Sequence, residues 1–341
     1  MTSPEQPAET VVGDPDRSHA VHIVRPNTLV NEIVLVDGLG RSGKGMLGHI
    51  LASMDRVEKV RIDIQYDTVR LLYALGKLPH DAAIYMLRQE ADLGLYNNYI
   101  SREVNFRFGD MTGVWQNTRP MTYLKRLWAK EGQNAADRIA REHPIFQSLS
   151  HGALESGNLF FDAFGDRLKI VHIIRDPVDV VYEWVRRGFG ERMGTDGRDL
   201  QLTHEWGNQA IPTFALGWEQ EYLASGPVER VIRMVNTAFN NIFRGYDALS
   251  DEWKKKVMFI VFDEFVEGPH DLCQQLAEFL GTRTTRRTKG QLKRENCPRV
   301  IPSDQKEIRK SEFRKDASAK SMDLLETHSR EYLELVRAHG K

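Results

Sequence analysis

A glycine-rich loop that carries two cations is the segment of this sequence with the clearest chemistry. Residues 38–45 read Gly-Leu-Gly-Arg-Ser-Gly-Lys-Gly. Glycines let the backbone turn so that successive N–H groups point inward, and a helix that begins there adds partial positive charge. Arg41 and Lys44 add full charges for phosphate oxygens. The loop therefore predicts an anion site, and its glycine and cation content disfavours the alternative, a purely structural turn.

Arg175 is a second cation that we expect at the same site. It follows the apolar run 169–174, and Asp176 and Pro177 after it are typical of a helix N-cap and first helical residue. An arginine in this context lies at the carboxyl end of a strand, where open parallel sheets bind ligands. The sequence therefore predicts that Arg175 reaches a bound phosphate, with an ordinary ion pair to a nearby carboxylate as the alternative.

The residue after the loop lysine argues against a magnesium-dependent site. Loops that bind ATP with Mg²⁺ place a serine or threonine hydroxyl there as a metal ligand, whereas this chain has Gly45. A small-molecule kinase stays open as an alternative, with Asp263 as a metal ligand and Asp63 as a base. A non-catalytic protein that only binds a nucleotide or a partner is the other alternative.

Three separated blocks of the chain resemble sulfotransferases that use 3′-phosphoadenosine 5′-phosphosulfate (PAPS). They are the loop 38–45 with its Arg-Ser-Gly core, the strand-Arg-Asp-Pro segment 169–184, and the strand-helix unit 259–281. The resemblance covers roughly residues 33–281. It implies a P-loop fold, PAPS as the donor, the desulfated nucleotide PAP as a product, and sulfuryl transfer to a hydroxyl with no required metal.

The resemblance also implies which residues hold the donor. They are Gly40, Arg41, Ser42, Gly43, Lys44, Gly45, Met46, Arg175, Arg287, Lys289 and Gly290. Arg41 and Lys44 are in addition expected to act in catalysis, by offsetting charge on the bridging oxygen. The last three belong to the basic stretch 286–290, which is similar to a basic loop near the family's C-terminus, and a solvated charged surface is the alternative for them.

Glu183 departs from the family pattern. The family usually places a serine eight residues after the motif arginine, where it bonds the 3′-phosphate, and this chain has a glutamate there. A carboxylate repels a phosphate unless it is protonated, turned away or paired with Arg186 or Arg187. Otherwise the local register differs, or the donor is not PAPS.

His151 is the predicted catalytic base. The family's base commonly lies a little over twenty residues before the motif arginine and ahead of a helix, and His151 lies 24 residues before Arg175. A neutral histidine accepts a proton near pH 7. The alternative is that His151 only caps or packs the following helix. Glu155 is then the substitute base, and His143 comes after it.

Apolar runs separated by helical periodicity set the expected fold class. The predicted strands cover residues 31–37, 60–64, 169–174 and 257–262. Strands that alternate with helices indicate a parallel sheet covered on both faces. We therefore expect an α/β P-loop fold of three layers, with a central, mostly parallel sheet flanked by helices.

The chain is expected to form one domain. Residues 1–28 are rich in Pro, Glu, Asp, Ser and Thr and predict a disordered leader. Residues 29–341 form the domain, with helical insertions at about 65–145 and 186–227. The second insertion is irregular, as functional loops often are.

Composition limits the partners and the compartment. The formal net charge of −1 disfavours nucleic acid as a partner. No apolar run is long enough for a membrane span. Cys273 and Cys297 are the only cysteines, too few for a disulfide framework or a four-cysteine zinc site. A cytoplasmic protein is expected.

The acceptor is the part of the reaction that the sequence determines least. Six aromatic residues could stack on a sugar ring, although scattered aromatics are more often core. They are Trp115, Trp128, Trp184, Trp206, Trp218 and Tyr222. A small molecule or glycan with a carbohydrate hydroxyl is the first interpretation, and a phenol or alcohol is the next.

Overall fold

A four-stranded parallel sheet lies at the centre of the protein, for which a computed structural model describes residues 21–339. The strands are β1 (Glu32–Asp37), β2 (Ile145–Leu149), β3 (Leu168–Ile174), β4 (Thr203–Trp206), β5 (Gln209–Pro212) and β6 (Val257–Val261). The parallel sheet has the order β2-β1-β3-β6, and β4 and β5 form a separate antiparallel hairpin. The strand β1 therefore has a parallel neighbour on each side.

Helices connect these strands. In chain order they are α1 (Lys44–Leu51), α2 (Ile64–Ala74), α3 (His80–Ile100), α4 (Pro120–Arg126), α5 (Gln133–Glu142), α6 (Gly157–Phe164), α7 (Pro177–Arg186), α8 (Phe189–Arg192), α9 (Glu219–Ala224), α10 (Pro227–Asp247), α11 (Asp251–Lys254), α12 (Phe262–Glu267), α13 (Pro269–Leu280), α14 (Arg286–Arg294), α15 (Gln305–Phe313) and α16 (Ala319–His339). Within residues 21–339, none of them is long and apolar enough to cross a membrane.

Both faces of the sheet are buried by helices. Side chains alternate between the two faces of a strand, so Ile33 and Leu35 of β1 join one hydrophobic cluster while Val34 and Val36 join the other. Residues of α3, α7 and α10 complete the first cluster, and residues of α1 and α13 complete the second. The predicted α/β class, with a central parallel sheet flanked by helices, is confirmed.

The apolar runs predicted three of the four parallel strands within about two residues. The strand predicted at residues 60–64 is wrong, because Ile62 makes only an isolated bridge to Leu149 and α2 begins at Ile64. The strand β2 was not predicted. Its middle residues, Gln147 and Ser148, are polar yet fully buried, so its sequence does not read as an apolar run.

The two predicted insertions differ in character. Residues 65–145 contain most of α2 and all of α3 to α5. The region 186–227, predicted to be helical, contains the β4–β5 hairpin, which Gly207 turns with a φ of 60°. Residues 1–20 of the predicted leader lie outside the described residues. Residues 21–28 are described, and among them Arg25 lies 2.7 Å from Asp92 of α3 in an ion pair.

The carboxyl ends of all four parallel strands meet at one edge of the sheet. There β1 leads into the glycine-rich loop, β2 ends two residues before His151, β3 ends before Arg175, and β6 ends before Phe262. Open parallel sheets bind ligands in the crevice outside these ends. The fold therefore brings together residues that are far apart in the sequence.

Candidate active site

The loop between β1 and α1 requires glycine at two positions. Gly38 has a φ of 138° and Gly43 a φ of 107°, in the region that favours glycine. A Cβ on Gly43 would lie 2.6 Å from the Phe262 ring, and one on Gly38 would lie 2.5 Å from the carbonyl oxygen of Ile173. Gly43 is also the N-cap of α1. The loop therefore packs closely on the ends of β3 and β6 and leads directly into a helix N-terminus.

Lys44 holds the loop from within. Its side chain is buried, and Nζ donates to the carbonyl oxygens of Gly38 at 2.7 Å and Leu39 at 2.8 Å. Burial lowers the pKa of Lys44 to about 8, against the opposing charge of Asp37. An ammonium group has three N–H donors. Two of them serve the loop, which leaves one for a ligand.

Arg41 pairs with the residue that departs from the family pattern. Its Nε and Nη2 each lie 3.3 Å from Oε2 of Glu183. Arg186 and Arg187, the partners expected for Glu183, form no ion pair with it among the described residues. The Arg186 guanidinium lies over the Tyr182 ring instead. Glu183 lies on the side of α7 that faces the loop, where Arg41 reaches it.

Arg175 connects β3 to the loop. Its Nη1 donates to the carbonyl oxygen of Arg41 at 2.9 Å, and its guanidinium lies 4.4 Å from the centre of the Phe262 ring. Nε lies 3.7 Å from Asp179, beyond hydrogen-bond distance. Burial lowers the pKa of Arg175 below its ordinary value, although Asp179 opposes the shift. As predicted, Asp176 caps the helix that follows, by accepting from the Val178 N–H.

His151 is held by a carboxylate that the sequence analysis missed. Its Nδ1 lies 2.7 Å from Oδ2 of Asp67, and its backbone N–H donates to Oδ1 of the same residue. Burial would raise the pKa of Asp67, but the hydrogen bond and charge of His151 and the charge of Arg70 hold it well below its usual range. An ionised carboxylate only accepts hydrogen bonds, so Nδ1 carries the proton. In the neutral ring Nε2 is then the basic atom.

The two substitute bases are placed elsewhere. Glu155 accepts from Arg70 at 2.6 Å and from Asn241 at 3.1 Å. His143 is the left-handed C-cap of α5, and its carbonyl oxygen accepts from Arg56. Neither residue lines the cavity described below.

Asp37 ties the His151 segment to β1. It is the last residue of β1, it is fully buried, and its carboxylate accepts from the backbone N–H groups of Ala153 and Leu154 at 2.9 and 3.1 Å. His172 Nδ1 lies 2.9 Å from the same carboxylate. Burial would raise the pKa of Asp37, but His172 and the two N–H groups lower it below its usual value. One carboxylate thus fixes the base segment relative to the glycine-rich loop.

A cavity of about 600 Å³ at the carboxyl edge of the sheet brings most of the predicted site residues together. Those that line it are Gly40, Arg41, Gly43, Lys44, Gly45, Met46, His151 and Arg175. Ser42 is buried in the loop beneath them, and its hydroxyl has no hydrogen-bond partner within residues 21–339. The predicted residues therefore bring three cations, a helix N-terminus and a histidine whose orientation is fixed to this cavity.

The basic stretch 286–290 is not part of this cavity. Arg287, Lys289 and Gly290 lie on α14, and none of them lines the cavity. The chain following α14 supplies Glu295, Asn296 and Arg299 instead. The Arg299 guanidinium lies 5.4 Å from the centre of the Phe262 ring, which Arg175 also contacts. No motif marks Arg299 in the sequence, and the role of the 286–290 stretch in binding phosphate stays a prediction.

The Met111 side chain lies against Gly45. A Cβ at this position would lie 2.5 Å from the Met111 sulfur. The place where a metal-binding hydroxyl would stand is therefore filled by Met111, which also lines the cavity. His49 Nε2 donates to the backbone carbonyl oxygen of Met111 at 2.8 Å, which holds the segment over α1.

The residues that a kinase would need are engaged elsewhere. Asp263 lies 3.3 Å from Lys306 in an ion pair, and burial raises its pKa. Asp63 is bound to Arg61 at 2.7 Å and accepts from Ser148 at 2.7 Å. Neither carboxylate lines the cavity. The geometry therefore does not support the kinase alternative.

Comparisons with known proteins bear on the fold. No protein-family model matches the chain, and no curated protein matches it. Among solved structures, the sulfotransferase domain from the curacin biosynthetic pathway is similar to this chain, with 13% identity, 77% of each chain covered and a TM-score of 0.43.

Two further sulfotransferase structures are also similar to this chain. The sulfotransferase domain from the Synechococcus PCC 7002 olefin synthase has 13% identity and a TM-score of 0.43, over 89% of this chain and 96% of that domain. A sulfotransferase from Alicyclobacillus acidocaldarius has 16% identity and a TM-score of 0.38, over 89% of this chain and 96% of its own. All three solved structures are sulfotransferases by name, the family that the sequence blocks resemble.

Proposed function

We propose that this protein transfers a sulfuryl group from PAPS to a hydroxyl of a small-molecule acceptor. The observation that carries the proposal is the convergence of Arg41, Lys44, Arg175 and the His151–Asp67 pair on one cavity. The N-terminus of α1 at Gly43 and the N–H donor of Lys44 that the loop leaves over fit the oxygen atoms of a bound anion. Free thiols at Cys273 and Cys297 accord with a cytoplasmic location, which is part of the proposal.

His151 acts as the general base. PAPS supplies an activated sulfuryl group, and the acceptor oxygen forms a new S–O bond while the bond between sulfur and the phosphate oxygen breaks. Nε2 of His151 takes the hydroxyl proton, and Asp67 stabilises the imidazolium that forms. Arg41 and Lys44 offset the charge that develops on the departing phosphate. PAP and the sulfated acceptor are the products.

The wall next to His151 favours an acceptor with an apolar body. Leu149 at the end of β2 and Ile62, which forms an isolated bridge to it, line the cavity, and Met111 lies over the loop. Of the six aromatic residues considered for a sugar, only Trp184 lines the cavity, and it is 2% exposed, packs in the hydrophobic core and donates from Nε1 to the Gly40 carbonyl oxygen. We therefore propose a phenol or alcohol before a carbohydrate.

PAP should stabilise the protein equally in EDTA and in Mg²⁺. Binding to the native state raises stability by about 2.7 kcal/mol when the ligand is at a hundred times its Kd, and no residue of the proposed site needs a metal to bind phosphate. The measurement is a thermal-shift series with PAP, ADP and ATP, each with EDTA or Mg²⁺. Stabilisation by Mg-ATP alone would contradict the proposed function.

PAP affinity should fall as the pH rises through about 8. Burial lowers the pKa of Lys44 to about 8, so this cation loses its charge in that range while the arginines keep theirs. The phosphates of PAP are already ionised there, since their second pKa is about 6. We expect about a three- to tenfold loss of affinity between pH 7 and 9.5 by calorimetry.

Lys44→Arg is the matched control for this pH dependence. Its guanidinium stays charged across the range, so its PAP affinity should be nearly flat between pH 7 and 9.5. The same decline in the native protein and in Lys44→Arg would assign the effect to another group.

A further inference from the structure

Glu183 places a negative charge among the cations of the anion loop. Its side chain is 20% exposed and that of Arg41 is 45% exposed, so solvent and ligands reach the pair. Both Arg41 bonds go to the single oxygen Oε2, and each is 3.3 Å long. Charge-assisted N–H···O bonds of good geometry measure about 2.7–2.9 Å. The pair is therefore long, exposed and able to exchange.

The same carboxylate acts on a second cation of the cavity. The negative charge of Glu183 is one of the influences that raise the pKa of Arg175, against the larger effect of burial. Arg175 is itself bonded to the carbonyl oxygen of Arg41. The carboxylate thus lies within electrostatic range of both arginines that a phosphate would approach.

The carboxylate that lines the cavity itself is already engaged elsewhere. Glu295 lines the cavity, but its Oε1 lies 2.9 Å from His49 Nδ1 and accepts from Gln291 at 2.8 Å. It forms no ion pair with a loop cation among the described residues. Glu183 is therefore the carboxylate that pairs with a cation of the loop, Arg41.

We propose that Glu183 is a built-in competitor for the anion. In the ligand-free protein its carboxylate holds the Arg41 guanidinium, and an incoming phosphate must take Arg41 from it. This exchange lowers affinity for the anion and favours release of an anionic product. Glu183 is thus a specificity-determining residue, which sets how strongly the loop holds a charged group. The inference rests on the proposed function only for the identity of the nucleotide.

The test is calorimetric titration of PAP, and separately of inorganic pyrophosphate, into the native protein and Glu183→Gln. Glutamine keeps the size of the side chain but removes its charge, so Arg41 is free to bind the ligand. We expect Glu183→Gln to bind both ligands about three- to thirtyfold more tightly, since an exposed ion pair and one repulsion are removed. Equal affinity in the two proteins would overturn the proposal.

Glu191→Gln is the control for net charge. Glu191 is an exposed carboxylate on the neighbouring helix α8, so its removal changes the total charge by the same amount. Its effect on PAP affinity should be less than twofold. An increase in PAP affinity as large as that of Glu183→Gln would overturn the proposal, because the change in net charge would then explain both increases.

The Arg41→Ala background separates competition from repulsion. If Glu183 acts by holding Arg41, then Glu183→Gln should improve affinity far less when Arg41 is already absent. The same gain in both backgrounds would overturn the proposal. Binding of pyrophosphate without binding of PAP would contradict the proposed function and leave this inference intact. Binding of PAP with no effect of Glu183→Gln would overturn this inference and leave the proposed function intact.

Discussion

His151→Ala is expected to reduce turnover by about 10² to 10⁴ while leaving PAP affinity nearly unchanged. A general base acts on the transition state and not on the bound nucleotide, and His151 is oriented by Asp67 at 2.7 Å. The measurement is transfer from labelled PAPS to a phenol acceptor, with calorimetric titration of PAP on the same preparation. Native turnover in His151→Ala would refute the assignment.

Asp67→Asn separates the base from the group that positions it. An amide can donate to Nδ1, which would place the proton of the neutral ring on Nε2 and leave that atom unable to accept one. Turnover should therefore fall while the imidazole stays in place and PAP affinity is kept. Glu155→Gln tests the substitute base, since Glu155 is bound to Arg70 and does not line the cavity. A larger loss in Glu155→Gln than in His151→Ala would move the base to Glu155.

Asp37→Ala should lower the free energy of unfolding by about 3–5 kcal/mol at neutral pH, as expected when one partner of a buried pair is removed. The carboxylate is fully buried, and its loss would leave His172 and the N–H groups of Ala153 and Leu154 without their acceptor. The measurement is urea unfolding. Asp37→Asn, which keeps the shape, should be less destabilised and serves if Asp37→Ala does not fold.

The effect of Asp37 should depend on pH in one direction. Its pKa is lowered in the folded protein, so its contribution is present above the unfolded value of about 3.9 and is lost as the pH falls further. The difference between native protein and Asp37→Ala should therefore shrink below about pH 4. Glu131→Ala, which breaks an exposed pair with Arg102, should cost less than about 1 kcal/mol. A similarly small cost for Asp37→Ala would contradict the role assigned to it.

The sequence predicts those parts of the fold that local pattern determines. The strands β1, β3 and β6 are apolar and β-branched, and their burial follows from that composition. The strand β2 is different, because Gln147 donates to the carbonyl oxygens of Gly48 and Glu58, and Ser148 donates to Asp63. These partners come from distant segments, so nothing local shows that the two polar residues are buried.

The same limit applies to the site. The loop, Arg175 and His151 were predicted because each stands in a recognisable local context or at a family spacing. Asp67 lies 84 residues before His151, and Glu183 lies 142 residues after Arg41. Such pairs form only when α2 and α7 are packed on the sheet. Arg299 lies in the segment that follows α14, and only the folded chain brings that segment to the cavity.

The hydrogen bond that Arg175 donates to the Arg41 carbonyl oxygen orders the loop backbone during folding, before any ligand binds. Arg41 has a left-handed backbone, with a φ of 69°, which costs a non-glycine residue about 1–2 kcal/mol. Fixing each residue of a loop costs roughly a further 1–2 kcal/mol in conformational entropy. Arg175 and Lys44 hold this shape through bonds within the protein. The entropy is therefore lost on folding, and the pre-organised cradle lets an anion bind without a further ordering penalty.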